Sequence, residues 1–279
     1  MHELPLVFFT VFGQLSAGMV FLGGLHYLLT HSQNNLFTIA KINSVALIFM
    51  ALGMVIASFH LGQPLRALNV IFGIGRSPMS NEIFTFGLLF GLTLVSVLLI
   101  HFSYENKDSK FKLIKTLCQR VNQIPHLAKI IAILLIILSL IFVWTIVATY
   151  MLPTVETWNT YYTAIQMYTA MLVLGSLAVL ILGLYRIGRL VFVVSVLLIL
   201  LLKIPYLNLM AAISPQLASE QHVWMIAQCG LLLLALVLVA LTSRRTATNT
   251  ITYFTVFACV LVGEICERIA FYNLWIIPL

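Results

Sequence analysis

The sequence predicts an all-α, polytopic integral membrane protein with eight transmembrane helices, and three observations carry that prediction. Of the 279 residues, 62% are hydrophobic and only 8% are charged, whereas a soluble domain is about half apolar and a quarter charged. The mean hydropathy of +1.08 leaves too little polar surface to cover a globule, so the surrounding solvent is lipid. Apolar runs of about 20 residues, the length that crosses a bilayer core, recur from one end of the chain to the other. Alternating apolar and polar residues, which a membrane barrel strand needs, are absent.

The first run, Leu6 to Leu29, follows His2 and Glu3 without a positive leader segment, so it is read as a retained span. Ile39 to Phe59 is the second and Ile83 to Phe102 the third. The fourth, Leu127 to Tyr150, contains the uninterrupted stretch Ile130 to Ile141, which only a helix buries without orphaned backbone groups. Ala164 to Tyr185, Leu190 to Met210, Val223 to Leu241 and Ile251 to Trp275 complete the eight. Residues 1–279 therefore read as one transmembrane domain. Pairs such as Gly13 with Ala17 and Gly87 with Gly91 stand at helical spacing, as close helix packing would use.

Orientation follows from the cations. Eleven of the fifteen Lys and Arg fall in the loops after spans one, three, five and seven: Lys41, Lys107, Lys110, Lys112, Lys115, Arg120, Lys129, Arg186, Arg189, Arg244 and Arg245. The opposite loops hold only Arg66 and Arg76. Basic loops stay in the cytoplasm, so both termini and the loop 60–82 face outward. The net charge of +7 is mostly topology, which argues against nucleic acid as a partner. Cys118, Cys229, Cys259 and Cys266 form no C-x-x-C pair, so no metal or iron–sulfur cluster is expected in this protein.

Ionisable groups inside membrane helices are costly and mark function. At 1.5 Å per residue, His60 lies about 28 Å from Lys41, at the outward end of span two. Glu82 opens span three on the same side. Glu264 and Arg268 lie about 20 and 26 Å beyond Ile251, and Lys203 lies about 20 Å beyond Leu190. These groups share one level near the outer surface. The loop between spans two and three is apolar for a solvated loop; Pro64 suits a helix start, and Gly73 and Gly75 allow a turn. It reads as a lid with charged edges.

Such a place suits quinol oxidation. Quinol gives up two electrons and two protons, so its hydroxyls need proton acceptors while its ring rests on apolar walls. Histidine accepts protons near neutral pH, and a partly buried carboxylate can do the same. His60 and Glu82 are the natural pair, with Arg66 near enough to brace them. Plainer readings stay open. Glu82 would suit the positive end of span three behind Ser80 as N-cap; His60 would suit a helix end; Arg66 and Arg76 would reach for headgroups. Glu264 and Arg268, at i and i+4, would form a structural ion pair, with Glu267 and Lys203 as further partners. Trp158, Tyr161, Tyr162 and Trp275 would form an interfacial belt. Two rivals use other residues: a secondary transporter built on Glu264, Arg268 and Lys203, and a haem-bearing quinol oxidoreductase pairing His26 with His101 or His60 with His222.

The same residues carry a family likeness. His2-Glu-Leu-Pro-Leu, Phe9-Thr-Val-Phe-Gly-Gln14, His60-Leu-Gly-Gln-Pro-Leu-Arg66-Ala, Ser80-Asn-Glu82-Ile, Phe142-Val-Trp144, Pro153-Thr-Val-Glu-Thr-Trp158, Gly263-Glu264, Arg268 and Phe271-Tyr272 resemble the membrane anchor subunit of the anaerobic dimethyl sulfoxide reductase family. The likeness covers the sequence from end to end, and its specific part is the first two spans with the loop that follows.

The resemblance implies an eight-span anchor in the bacterial inner membrane with both termini periplasmic, making 60–82 a periplasmic lid loop. It implies a subunit without haem that oxidises menaquinol. Electrons would pass to an iron–sulfur subunit bearing four [4Fe-4S] clusters and then to a molybdopterin catalytic subunit that reduces the sulfoxide. In the family, the histidine and glutamate at the positions of His60 and Glu82 are associated with menaquinol binding. Arg66 joins them here as a quinol-binding candidate, with Arg76, Glu264, Arg268 and Tyr272 as secondary candidates. Lys203 and Glu267 have no place in the family pattern.

Overall fold

The computed structural model describes residues 4–30, 36–59, 64–104, 112–243 and 250–275. Nine α-helices account for nearly all of them: α1 (Leu4–Thr30), α2 (Leu36–Ser58), α3 (Pro78–Tyr104), α4 (Lys112–Asn122), α5 (Leu127–Tyr150), α6 (Tyr161–Ile181), α7 (Tyr185–Ile213), α8 (Pro215–Ser243) and α9 (Thr250–Asn273). A 3₁₀ segment, Pro64–Gly73, precedes α3. No strand occurs among the described residues.

Seven helices, all except α4 and α9, are long and apolar enough to cross a membrane. The protein is a multi-pass membrane protein. α9 is 24 residues long and also corresponds to an expected span, but Glu264, Glu267 and Arg268 lower its apolarity. α4 sits in the stretch that the sequence presents only as a basic loop.

Local signals explain where several helices stop and start. Gly183 has φ +115°, a left-handed conformation that suits glycine. There Gly183 N–H bonds the Leu180 carbonyl at 3.2 Å and Leu184 N–H bonds that of Val179 at 2.9 Å, closing α6 with a Schellman-type turn. α6 thus ends before Tyr185, which instead begins α7. A single residue, Ser214, separates α7 from α8. Pro215 occupies the first position of α8, where its missing N–H costs nothing. Both helices extend beyond their expected apolar runs to 29 residues.

α1 and α6 form the axis of the bundle. Their membrane-spanning windows are 78% and 67% buried within the protein, against 28–39% for the other five. On α1 every residue from Gly13 to Val20 is buried. α2, α5, α6 and α9 all pack on α1. The axis depends on two glycines. A Cβ on Gly18 would stand 2.0 Å from the Met171 carbonyl oxygen, and one on Gly175 would stand 2.5 Å from the Gly18 backbone. By contrast, Gly87 and Gly91 have nothing within 4 Å of an added Cβ, so that pair is not the close-packing contact its spacing suggested. Gly18→Ala is therefore expected to destabilise the purified protein by at least the 1–3 kcal/mol typical of overpacking. Gly87→Ala is the matched control, and its thermal midpoint should stay at or slightly above wild type.

Candidate functional site

The carboxylate at the head of α3 is held in place by the turn before it. Asn81 Oδ1 accepts a 2.7 Å bond from Gly75 N–H, where Gly75 takes φ +79°. Ser77 Oγ accepts from Ser80 N–H at 3.5 Å, and Pro78 opens the helix. The cap is thus Ser77 and not Ser80. Glu82 lies beyond the first turn, where the pull of the helix dipole weakens. It is 4% exposed. Its carboxyl faces the Thr149 hydroxyl of α5. One turn deeper, the Thr85 and Thr145 hydroxyls meet at 2.9 Å and lock the same two helices together.

Beside this carboxylate lies a phenol pair. Tyr150, the last residue of α5, and Tyr272, near the end of α9, approach oxygen to oxygen at 2.6 Å. Both lie within electrostatic reach of Glu82, and Tyr272 also meets the Thr10 hydroxyl of α1. The walls are aromatic. Trp158 stacks on Phe271 with ring centroids 5.2 Å apart and 9° between planes, and both contact Tyr150 edge-on. Trp158 Nε1 donates to the Phe271 carbonyl at 2.8 Å. Trp158 is therefore a buried wall and not part of an interfacial belt. Tyr161, 85% exposed, does suit a belt.

One turn deeper in α9 lies Arg268, 1% exposed. It donates through Nη2 to Gln14 Oε1 of α1 at 3.1 Å. Gln14 Nε2 in turn points at Met167 Sδ, 3.1 Å away. The guanidinium also stands 5.7 Å from the Phe271 ring centroid. Arg268 Nε and Nη1 have no hydrogen-bond partner among the described residues. Buried guanidinium donors without acceptors are costly, and these two suit an oxygen-bearing guest.

The expected Glu264–Arg268 ion pair does not form. Although i and i+4 share a helix face, Glu264 accepts instead from Gln228 Nε2 of α8 at 3.1 Å while Arg268 turns to α1. Lys203 and Glu267, expected as further partners of that pair, bond to each other instead, at 2.5 Å and buried. Gln166, Tyr206, Gln228, Glu264 and this pair line a cavity of about 30 Å³ between α6, α7, α8 and α9.

Of the sequence candidates, Glu82, Arg268 and Tyr272 share one neighbourhood. Glu264 is one helical turn below Arg268, and Arg76 is exposed on the turn before α3. His60 lies outside the described residues, as does the side chain of Arg66, whose backbone belongs to the 3₁₀ segment that Pro64 begins as expected. Sequence reasoning missed Tyr150, Thr149 and Gln14 as members. Their signal was present: each is a polar residue in an otherwise apolar run. Tyr272→Phe should cost about 0.5–1.5 kcal/mol of stability from the lost phenol bond, and a denaturation midpoint compared with Tyr161→Phe, which should be silent, checks it.

Known proteins show where this one belongs. It is 31% identical over 182 residues to the C subunit of the anaerobic dimethyl sulfoxide reductase of Escherichia coli (strain K12), a match covering 63% of the present sequence and 56% of that subunit. It is 28% identical over 179 residues to the anaerobic dimethyl sulfoxide reductase subunit YnfH of the same organism, covering 62% and 55%. A 92-residue stretch is 36% identical to the corresponding C subunit of Haemophilus influenzae, a third of each protein. The matched stretch spans about half the length of the two Escherichia coli relatives. The family model for the DMSO reductase anchor subunit (DmsC) matches residues 1–274, nearly the whole sequence. With all-helical, multi-pass architecture and a family match of that extent, the protein belongs to the DMSO reductase anchor subunit family.

Proposed function

We propose that this protein anchors a dimethyl sulfoxide reductase-like molybdoenzyme to the bacterial inner membrane and oxidises menaquinol at its periplasmic side. The observation that carries the reading is the buried Glu82 carboxylate. It faces hydroxyl and phenol groups beside the unpartnered donors of Arg268, all among aromatic walls at one end of the bundle. A quinol needs this combination. Its ring rests on the apolar side, its hydroxyl protons go to Glu82 and His60, and Arg66 braces a quinol oxygen. Tyr272, Tyr150 and Arg268 fix the positions of the groups around it.

Each quinol releases two protons and two electrons. The protons leave to the periplasm from the outer end of α3. The electrons pass to an iron–sulfur subunit with four [4Fe-4S] clusters, and from there to a molybdopterin subunit. The 3₁₀ segment Pro64–Gly73 and the turn after it act as the lid.

In this reading α9 is the eighth span and both termini are periplasmic. The burial of its charges supports the crossing: Glu264, Glu267 and Arg268 are each 1–2% exposed, so none meets lipid. The test is the purified complex. A menaquinol analogue should reduce the partner's clusters, seen by electron paramagnetic resonance, and the same complex stripped of the anchor should not respond. Equal reduction without the anchor would overturn the assignment.

A further inference from the structure

α4 is a helix that fits neither inside nor across the membrane. Its eleven residues, Lys112–Asn122, extend about 16 Å, roughly half of a bilayer core. It joins the end of α3 to the start of α5 and packs on α3, where Ser103 Oγ donates to the Cys118 carbonyl at 3.2 Å. Cys118 is its buried side.

The rest of its apolar sector is left open among the described residues. Leu113, Leu117 and Val121 stand at i, i+4 and i+8, one stripe along the helix, and are 76%, 53% and 39% exposed. Ile124, 51% exposed, follows in the turn to α5. The opposite side carries Lys112, Lys115, Thr116 and Gln119, with Arg120 at the border. The helix has three cations and no acid.

Two arguments select the occupant. The helix packs on α3 and its stripe finishes just before α5 begins, and the outward side chains Leu98 and Ile130 of those spans are surfaces that lipid covers. The charge on the other side is uniformly positive, which suits phosphate and not an undirected protein contact. We infer that α4 lies in the headgroup layer, with Leu113, Leu117 and Val121 in the acyl region and its cations on the phosphates of anionic phospholipids. The helix then does more than mark topology. It gives the anchor a preference for negatively charged lipid and fixes the depth of α3 and α5.

The experiment uses the full-length protein in its complex, reconstituted into vesicles of equal parts phosphatidylglycerol and phosphatidylcholine. A nitroxide is placed at Leu117→Cys or Gln119→Cys in a background where the four natural cysteines are replaced by serine. The label at 117 should be open to oxygen and shielded from a water-soluble nickel chelate, and the label at 119 should show the reverse. Equal access to nickel at both sites would put the helix off the membrane and overturn the inference. Shielding of 117 from both reagents would mean that protein covers the stripe, and would overturn it as well.

A second measurement needs no cysteine-free variant. Wild-type protein should immobilise spin-labelled phosphatidylglycerol more than spin-labelled phosphatidylcholine. Lys112→Gln with Arg120→Gln should reduce that preference by about fivefold per cation at low salt. An unchanged preference would sink the assignment of anionic lipid.

Discussion

Glu82→Gln is expected to lower quinol oxidation by at least about 100-fold while leaving the complex assembled. A positioned acid–base group contributes about 10²–10⁴-fold, and an amide of the same shape cannot take up the quinol proton. The substitution keeps the volume of the side chain and its approach to Thr149, so the α3–α5 contact through Thr85 and Thr145 should persist. The readout is a split one. Turnover with a quinol analogue collapses, whereas the thermal midpoint and the yield of complex stay near wild type. A Glu82→Gln complex that turned over normally would remove the assigned role.

Breaking the buried ion pair should have the largest effect on stability. Lys203 and Glu267 bond at 2.5 Å, with side chains 6% and 3% exposed. The ammonium also lies 5.4 Å from the Tyr206 ring centroid. Lys203→Met leaves a carboxylate buried without its partner, a loss of about 3–5 kcal/mol. The double variant Lys203→Met, Glu267→Leu removes both charges and should recover most of that loss. Denaturation of the detergent-purified protein measures both. A double variant as unstable as the single one would show that the pair's value lies in packing and not in mutual neutralisation.

Position along a helix was legible in the sequence, while direction around it was not. α5 matches its expected bounds, and Lys203 and Glu267 do carry a buried ion pair, though with each other and not with Glu264 and Arg268. Glu264 and Arg268 stand one turn apart on α9 as their spacing requires, but each turned to a different helix. The reason is physical: in a membrane, the core and the surroundings are both apolar, so a span carries little amphipathic signal to say which side faces in. Gly18 and Gly87 therefore look alike in the sequence, although one touches backbone and the other has open space. Trp158 and Tyr161, three residues apart, look alike for the same reason.

The phenol pair illustrates a second limit. Tyr150 and Tyr272 are 122 positions apart, and nothing local to either residue names the other. α4 escaped for the opposite reason. Its short apolar stripe is diluted by Lys, Thr, Gln and Arg, so a search for long apolar runs passes over it.

The central place of α1 has a consequence for how the protein is made. The ribosome releases this helix before α6 and α9, yet those two supply the partners for Gly18, Gln14 and Thr10. The helix that ends up most sheltered enters the bilayer early, with its glutamine and hydroxyls still waiting for neighbours. Its polar stripe must then be tolerated in lipid, or sheltered by the insertion machinery, until more than two hundred further residues have been synthesised. A defect at Gly175 or Arg268 would leave the first helix held by α2 and α5 alone, with its polar stripe still without its late partners.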